Sequence, residues 1–190
     1  MNVLSEFLKN REPYQKIIHM ISNKTELSKI NIHSKIQPKI ILFSFSTSNS
    51  IQLLQEIINE SNKTNNKYII TVGNISKKED IDFCINLGIR VFFSYTTDME
   101  LFDYCILKQC CFIPCVYNPN DIMIAYNHGA RLFQYYPCYD KSDILLLKSY
   151  NKIFYDKDIS FIPYGSIHYT NYEEILSFQN VLAIISNSII

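Results

Sequence analysis

The most informative stretch of the sequence is GARLFQYYP, at residues 129–137. The glycine at its start follows a segment with helical periodicity, and a glycine in the left-handed conformation is a common end for an α-helix. The apolar and aromatic residues after it have the length and composition of a buried β-strand. A helix that leads directly into such a strand indicates one unit of an alternating α/β fold.

The same alternation of short apolar runs and helical segments extends over most of the chain. The predicted strands are Ile17–Ser22, Lys39–Ser46, Lys67–Val72, Arg90–Ser94, Cys111–Val116, Arg131–Pro137, Ser160–Gly165 and Val181–Ser186. The predicted helices are Asn49–Ser61, Lys78–Leu87, Asp98–Gln109, Pro119–His128, Ser142–Tyr155 and Asn171–Phe178, with a weaker helix over Asn23–Ile36. Eight strands that alternate with helices predict a parallel sheet closed as a (β/α)8 TIM barrel.

An open, doubly wound sheet is the main alternative, because it is built from the same βαβ units. Nucleotide-binding sheets of that kind carry a glycine-rich turn after the first strand. Here the first predicted strand is followed by NKTE at residues 23–26, and the whole chain contains only four glycines. We therefore expect the closed barrel and no nucleotide-binding turn.

Length and composition indicate one globular domain. The chain has 190 residues, of which 47% are hydrophobic, and chains of about 100–200 residues with such a composition usually form a single core. Met1–Lys16 is predicted to be an amphipathic N-terminal helix, with the barrel over residues 17–190.

Charge and hydropathy exclude several classes of function. The 18 basic residues balance 18 acidic residues, so no net positive field would attract nucleic acid. No apolar run approaches the ~20 residues of a membrane span, and the N-terminus lacks the pattern of a secretory signal peptide. We expect a soluble protein of the cytoplasm or of another reducing intracellular compartment.

The six cysteines lie inside apolar segments, as reduced and buried cysteines usually do. Cys110, Cys111 and Cys115 are close in sequence, but they form no CxxC pair and have no histidine at ligand spacing. We expect structural cysteines, no metal site and no cofactor.

Four stretches resemble the 2-keto-3-deoxy-6-phosphogluconate (KDPG/KHG) aldolase family, both in residues and in order. They are CFIPC at 111–115, GARLFQYYP at 129–137, FIPYGSI at 161–167 followed by Asn171-Tyr172, and NVLAI at 180–184. Members of this family are class I, Schiff-base aldolases on a TIM barrel. The resemblance therefore implies this fold and a carbon–carbon lyase activity.

The resemblance also identifies departures at the catalytic positions. Gln134 stands where the family has the lysine that forms the Schiff base, and an amide cannot form an imine. Leu42 stands at the position of the proton-shuttling glutamate, and Ser46 replaces the arginine that binds the substrate carboxylate. By this alignment the nucleophile, the general base and the anion-binding side chain are all missing. We therefore assign no catalytic residue.

The family binds its phosphate group with glycine-rich backbone after the last two strands, and the resemblance places Gly165, Ser166 and Ser186 there. Backbone N–H groups and hydroxyls can donate to an anion. Together with Ser46 and Gln134, these residues are candidates for binding a small anionic metabolite. The alternative is a barrel mouth without a ligand.

Other side chains at the same end are candidate substitutes. Asn187 is a further donor, and His168 is either a general base or simply a turn residue. Lys141 follows Asp140, whose charge favours the protonated amine and so disfavours a nucleophilic role. Aromatic side chains are expected to fill the former pocket. They are Tyr135, Tyr136, Tyr139, Tyr164 and Tyr169.

The sequence ends at Ile190, shortly after the last predicted strand, so we expect the family's final helix to be missing. Outward apolar residues of the first and last strands would then be exposed, unless the Met1–Lys16 helix or another chain covers them. This expectation favours a homo-oligomer or a subunit of a larger protein assembly.

The sequence is interpreted as a catalytically inactive KDPG-aldolase-like barrel, a pseudoenzyme with a structural or interaction role. One alternative is a carbon–carbon lyase of the KDPG aldolase type, which releases pyruvate, with an altered active site. The other is a small-metabolite binding protein.

Overall fold

The structure is a computed structural model that describes residues 3–9, 11–22, 25–26, 39–45, 50–63, 68–168 and 170–187. Its strands are β1 (Ile17–Ile21), β2 (Lys39–Ser44), β3 (Tyr68–Gly73), β4 (Val91–Phe93), β5 (Cys111–Ile113), β6 (Cys115–Val116), β7 (Leu132–Cys138), β8 (Ser160–Gly165) and β9 (Ile184–Ser186). Its helices are α1 (Val3–Lys9), α2 (Ser50–Lys63), α3 (Lys78–Asn86), α4 (Met99–Leu107), α5 (Pro119–Asn127), α6 (Lys141–Ile153) and α7 (Tyr172–Leu176), with a 3-10 turn at Pro13–Gln15.

The described strands form one parallel sheet with the order β5-β4-β3-β2-β1-β9-β8-β7-β6. β5 and β6 are the two halves of the predicted strand Cys111–Val116, separated by Pro114, which has no N–H to donate. β5 pairs with β4, and β6 pairs with β7. The carbonyl oxygen of Pro114 accepts a hydrogen bond from Gln134 N at 2.9 Å. This interrupted strand brings the two edges of the sheet together, and the predicted TIM barrel is confirmed.

Side chains alternate between the barrel interior and the outer helical layer along each strand. On β7, Leu132 belongs to the interior cluster, whereas Phe133 and Tyr135 pack in the outer cluster. Other members of the interior cluster are Ile18, Leu42, Phe93, Ile113, Ile162 and Ile185. Gln134 lies between Phe133 and Tyr135, so the alternation directs its side chain inward.

Helix ends follow local sequence signals. Gly88 and Gly129 follow α3 and α5 with positive φ angles of 87° and 100°, and the glycine cap predicted at Gly129 is confirmed. The predicted start of α6 at Ser142 is one residue late. Asp140 accepts hydrogen bonds from two backbone N–H groups of the first turn, so the helix begins at Lys141.

The predicted helix over Met1–Lys16 is shorter in the structure, where α1 ends at Lys9. Leu4 and Leu8 are buried in the interior cluster. Lys9 lines a recess with the first residues of β5, β7 and β8. α1 therefore covers the end of the barrel at which the strands begin.

The expected exposed strip on the first and last strands is not observed. Ile17 of β1 and Ile184 of β9 are buried in the outer cluster, together with Ile175 and Phe178 from α7 and the turn after it. The outward apolar residues are thus covered within the chain. Exposure of this strip no longer supports association.

Two predictions lie largely outside the described residues. One is the weaker helix over Asn23–Ile36, of which Thr25 and Glu26 alone are described, in helical conformation. The other concerns the chain after β9, where the description ends at Asn187. Within the described ranges, no helix is long and apolar enough to cross a membrane.

Candidate active-site mouth of the barrel

Gln134 lies inside the barrel, paired in register with Cys115 of β6 and Ile162 of β8. The residue is only 2% exposed. Its Nε2 atom has no hydrogen-bond partner in the described part of the chain. Gln134 is thus a buried residue of the barrel interior, while its correspondence to the family lysine stays a prediction.

Replacing Gln134 by methionine is expected to stabilise the protein. A buried donor without a partner costs about 1–3 kcal/mol, and methionine has a similar length without a donor. We expect Gln134→Met to raise the free energy of unfolding by about 1 kcal/mol or more, measured by urea denaturation. The control is Gln55→Met on the exposed face of α2, with an expected change below about 0.5 kcal/mol. If Gln134→Met instead lowers the free energy of unfolding, the result would contradict the lack of a hydrogen-bond partner for Gln134 Nε2.

The buried polar side chains of the described residues include no lysine, arginine, histidine or carboxylate. Leu42 is buried in the interior cluster. The buried hydroxyls already have partners: Thr71 Oγ1 donates to Ile41 O at 2.9 Å, and Ser94 Oγ lies 3.1 Å from a threonine hydroxyl. The described interior is therefore mostly apolar, with hydroxyls engaged in local bonds.

Four tyrosines form a cluster where the strands end, here called the tyrosine cluster: Tyr95, Tyr136, Tyr139 and Tyr164. Tyr136 is stacked on Tyr164 with 5.2 Å between ring centroids. It meets Tyr95 and Tyr139 edge-on, at 5.8 Å and 5.7 Å. Tyr136 follows Gln134 by two positions on β7, so both side chains lie on the inner face. The cluster therefore lies at the mouth of the barrel, on the same face of β7 as Gln134.

Tyr135 does not join this cluster, so that part of the prediction is wrong. Strand alternation directs it to the helical layer, where it stacks on Tyr117 with 5.9 Å between centroids. Its hydroxyl donates to Asp143 O at 3.2 Å. Tyr169 lies outside the described residues. Tyr95, which the sequence analysis missed, could have been found from its position two residues after the inward Phe93.

The environment of Tyr95 and Tyr136 keeps the hydroxyls of these two residues protonated. Burial, followed by neighbouring ionisable groups, raises the pKa of Tyr95 to about 12. The hydrogen bond to Tyr139, followed by burial, raises the pKa of Tyr136 to about 12. At neutral pH these hydroxyls donate hydrogen bonds and do not act as general bases.

A recess of about 360 Å³ lies beside the cluster, around the turn after β8. Ser166, His168 and Asn187 contribute polar groups to its lining. Asn187 Nδ2 donates to Tyr164 Oη at 3.2 Å. The volume lies within the range of about 300–1,000 Å³ for small-molecule sites.

The predicted ligand residues are only partly brought together. Gly165 and Ser166 line the recess. Ser186 is buried, and its Oγ donates to a carbonyl oxygen in the turn after β8 at 3.1 Å, so it supports that turn. Gln134 lies inside the barrel rather than in the lining, and Ser46 lies outside the described residues.

Gly165 has a packing role that requires no ligand. A Cβ atom at this position would lie 2.2 Å from Cys138 O, far inside van der Waals contact. The N–H of Ser166 donates to the same oxygen at 2.9 Å. Close approach of β8 to β7 therefore accounts for this glycine.

Lys141 and His168 are both exposed. Lys141 is the first residue of α6, after the capping Asp140. The backbone N–H of His168 donates to Asn171 Oδ1 at 2.8 Å, as in a turn. Neither side chain lies in the buried interior beside Gln134.

None of the six cysteines forms a disulfide bond, and all but Cys111 are buried. Burial is the main cause that raises the pKa of Cys84, Cys115 and Cys138 to about 12. These three thiols remain protonated at neutral pH, and protonated thiols are poor nucleophiles.

The family model of KDPG and KHG aldolase matches residues 39–190. The chain belongs to this family. Among curated proteins, the 2-dehydro-3-deoxy-phosphogluconate aldolase of Pseudomonas aeruginosa is 29% identical over 85 residues, which are 45% of this chain and 38% of that protein. The chain thus matches well under half the length of this curated KDPG aldolase.

Solved KDPG aldolases share the fold. The enzyme of Legionella pneumophila, with pyruvate captured as a covalent carbinolamine intermediate, has a TM-score of 0.75 and 21% identity, covering 93% of this chain and 87% of that chain. The enzyme of Zymomonas mobilis has a TM-score of 0.76 and 14% identity, covering 91% and 82%. The family resemblance found in the sequence is confirmed.

Proposed function

We propose that this member of the KDPG/KHG aldolase family is a catalytically inactive barrel, a pseudoenzyme with a structural or interaction role. The observation that supports this proposal is the buried Gln134 on the inner face of β7. An amide cannot provide the amine that a Schiff-base aldolase requires. The buried polar side chains of the described residues also contain no lysine to replace it.

The surroundings of Gln134 support the same proposal. Leu42 contributes to the apolar interior where the resemblance places the family's glutamate. The tyrosine cluster lies at the mouth through which a substrate would enter. The raised pKa values of Tyr95 and Tyr136 leave these two hydroxyls neutral at physiological pH. In this proposal the described interior therefore offers neither the nucleophile nor the proton acceptor of a Schiff-base aldolase.

Turnover of KDPG tests the proposal. The protein is expected to release no pyruvate above the buffer control, measured with a coupled dehydrogenase. Gln134→Lys alone is expected to stay at least about 100-fold below an active family aldolase, because general acid–base help is typically worth 10²–10⁴-fold and Leu42 offers none. Pyruvate release by the unmodified protein, abolished by heat denaturation, would instead support a lyase of altered mechanism.

Small-metabolite binding is the second candidate function, because the recess beside the tyrosine cluster is able to receive a polar ligand. Ser166 and Asn187 offer donors suited to a small anion. Saturable binding of inorganic phosphate or pyruvate, measured by calorimetry, would favour this function. No saturable binding of either probe would favour the purely structural role.

An interaction subunit needs an association surface. Several large aliphatic side chains are exposed on the helices, among them Leu145, which is 55% exposed, and Ile153, which is 54% exposed. We propose a homo-oligomer or a larger protein assembly, in a reducing intracellular compartment.

The proposed domain organisation is an N-terminal helix, within residues 1–16, followed by one barrel over residues 17–190.

A further inference from the structure

A second recess lies at the opposite end of the barrel from the tyrosine cluster. Its volume is about 560 Å³. Its lining includes Cys111, Leu132 and Ser160, which begin β5, β7 and β8. The tyrosine cluster lies where strands end. The two sites are therefore separated by the length of the barrel. The second recess shares no lining residue with the recess beside the tyrosine cluster.

The floor of this second recess is apolar. Phe102 of α4 and Phe112 of β5 are buried beneath it and meet edge-on, with 6.5 Å between ring centroids. Leu132 adds an aliphatic wall. Ile106, which is 56% exposed, stands at the rim. Binding becomes more favourable when a hydrocarbon group displaces water from such a surface.

The rim carries more positive than negative charge. Of the described residues, Lys9 and Arg131 line the recess together with one carboxylate, Asp158. The Arg131 guanidinium is held in place, because its Nη1 donates to Tyr126 O at 2.9 Å and to Ala130 O at 2.8 Å. It also lies 3.9 Å from the centre of the Tyr126 ring.

A fixed guanidinium is a good partner for a carboxylate. It has five N–H donors in a planar arrangement, and within the described residues the hydrogen bonds of Arg131 use Nη1 alone. Its orientation is set before a ligand arrives, which lowers the entropy lost on binding.

We propose that this recess binds an amphipathic carboxylate. The hydrocarbon chain lies on Phe102, Phe112 and Leu132, and the carboxylate faces Arg131 and Lys9. The volume lies within the range of about 300–1,000 Å³ for small-molecule sites. The excess of cations selects an anionic head group over a neutral or cationic one. Gln134 is not part of this recess, so binding here is independent of whether the barrel is catalytically active.

Dodecanoate is the probe, used with the full-length chain in isothermal titration calorimetry below its micelle-forming concentration. We expect saturable binding with one site per chain. Two neighbouring variants on α4 give a matched pair: Ile106→Glu changes a lining residue, whereas Leu107→Glu adds the same charge outside the lining. Ile106→Glu is expected to weaken binding by at least about tenfold through repulsion and lost apolar contact, and Leu107→Glu by less than about twofold.

The head group is tested separately. Dodecyltrimethylammonium, with the same chain and the opposite charge, is expected to bind at least about tenfold more weakly than dodecanoate. Arg131→Gln should reduce this preference, with thermal unfolding used to confirm that the variant is folded. Equal binding of the two amphiphiles, equal effects of the two glutamate variants, or no saturable binding of dodecanoate would each overturn the proposal.

Discussion

Leu8→Ala is expected to lower the free energy of unfolding by about 2–5 kcal/mol, the usual cost of truncating a fully buried leucine. Leu8 is 0% exposed and packs in the interior cluster with Ile18 and Leu132. The substitution removes three carbon atoms and leaves a cavity at the end of the barrel that α1 covers. Urea denaturation followed by circular dichroism measures the change.

Glu6→Ala is the matched control for this prediction, because Glu6 is exposed on the same short helix. Both substitutions introduce the residue with the highest helix propensity, so the difference between them reports the packing of Leu8. The control is expected to change stability by no more than about 0.5 kcal/mol. A Leu8→Ala effect as small as that of the control would mean that α1 does not close the barrel in solution.

The order of strands and helices could be predicted from the sequence because each unit carries its own signals. Gly129 ends α5 and leads directly into β7, and the β8 segment Ser160–Gly165 has the predicted bounds. Parallel strands buried on both faces appear as short apolar runs. The lack of a glycine-rich turn after the first predicted strand then favoured a closed barrel over an open sheet, and the resemblance to a known family implied the same fold.

Features that depend on packing between distant segments could not be predicted in the same way. The place of α1 is one, because an amphipathic helix shows that it buries one face but not against which surface. The division of the predicted strand at Pro114 is another. The burial of Ile17 and Ile184 depends on residues around α7, far from Ile17 in sequence.

The positions of single side chains in the candidate site also could not be fully predicted from the sequence. The sequence placed five tyrosines at the mouth, but adjacent residues on a strand face opposite sides. Tyr136 therefore enters the tyrosine cluster, whereas Tyr135 joins the helical layer. Ser186 was predicted as a ligand donor, yet its hydroxyl is engaged in the turn after β8. A hydrogen bond between residues that are distant in sequence can be identified only once the folded structure is known.

Borohydride trapping with pyruvate tests the proposed loss of catalysis most directly. An imine between a lysine and pyruvate is reduced to a stable secondary amine, which adds a fixed mass to the chain. Intact-protein mass spectrometry measures that gain, and digestion maps it to a residue. The Legionella pneumophila KDPG aldolase, whose structure holds pyruvate as a covalent carbinolamine, is the positive control.

We expect the control enzyme to gain one adduct per active site and this protein to gain none under the same conditions. Solvated lysine side chains are in general protonated at neutral pH and react poorly with ketones. A stoichiometric adduct on one lysine, lost when that lysine is changed to arginine, would contradict the account and identify a working Schiff-base centre.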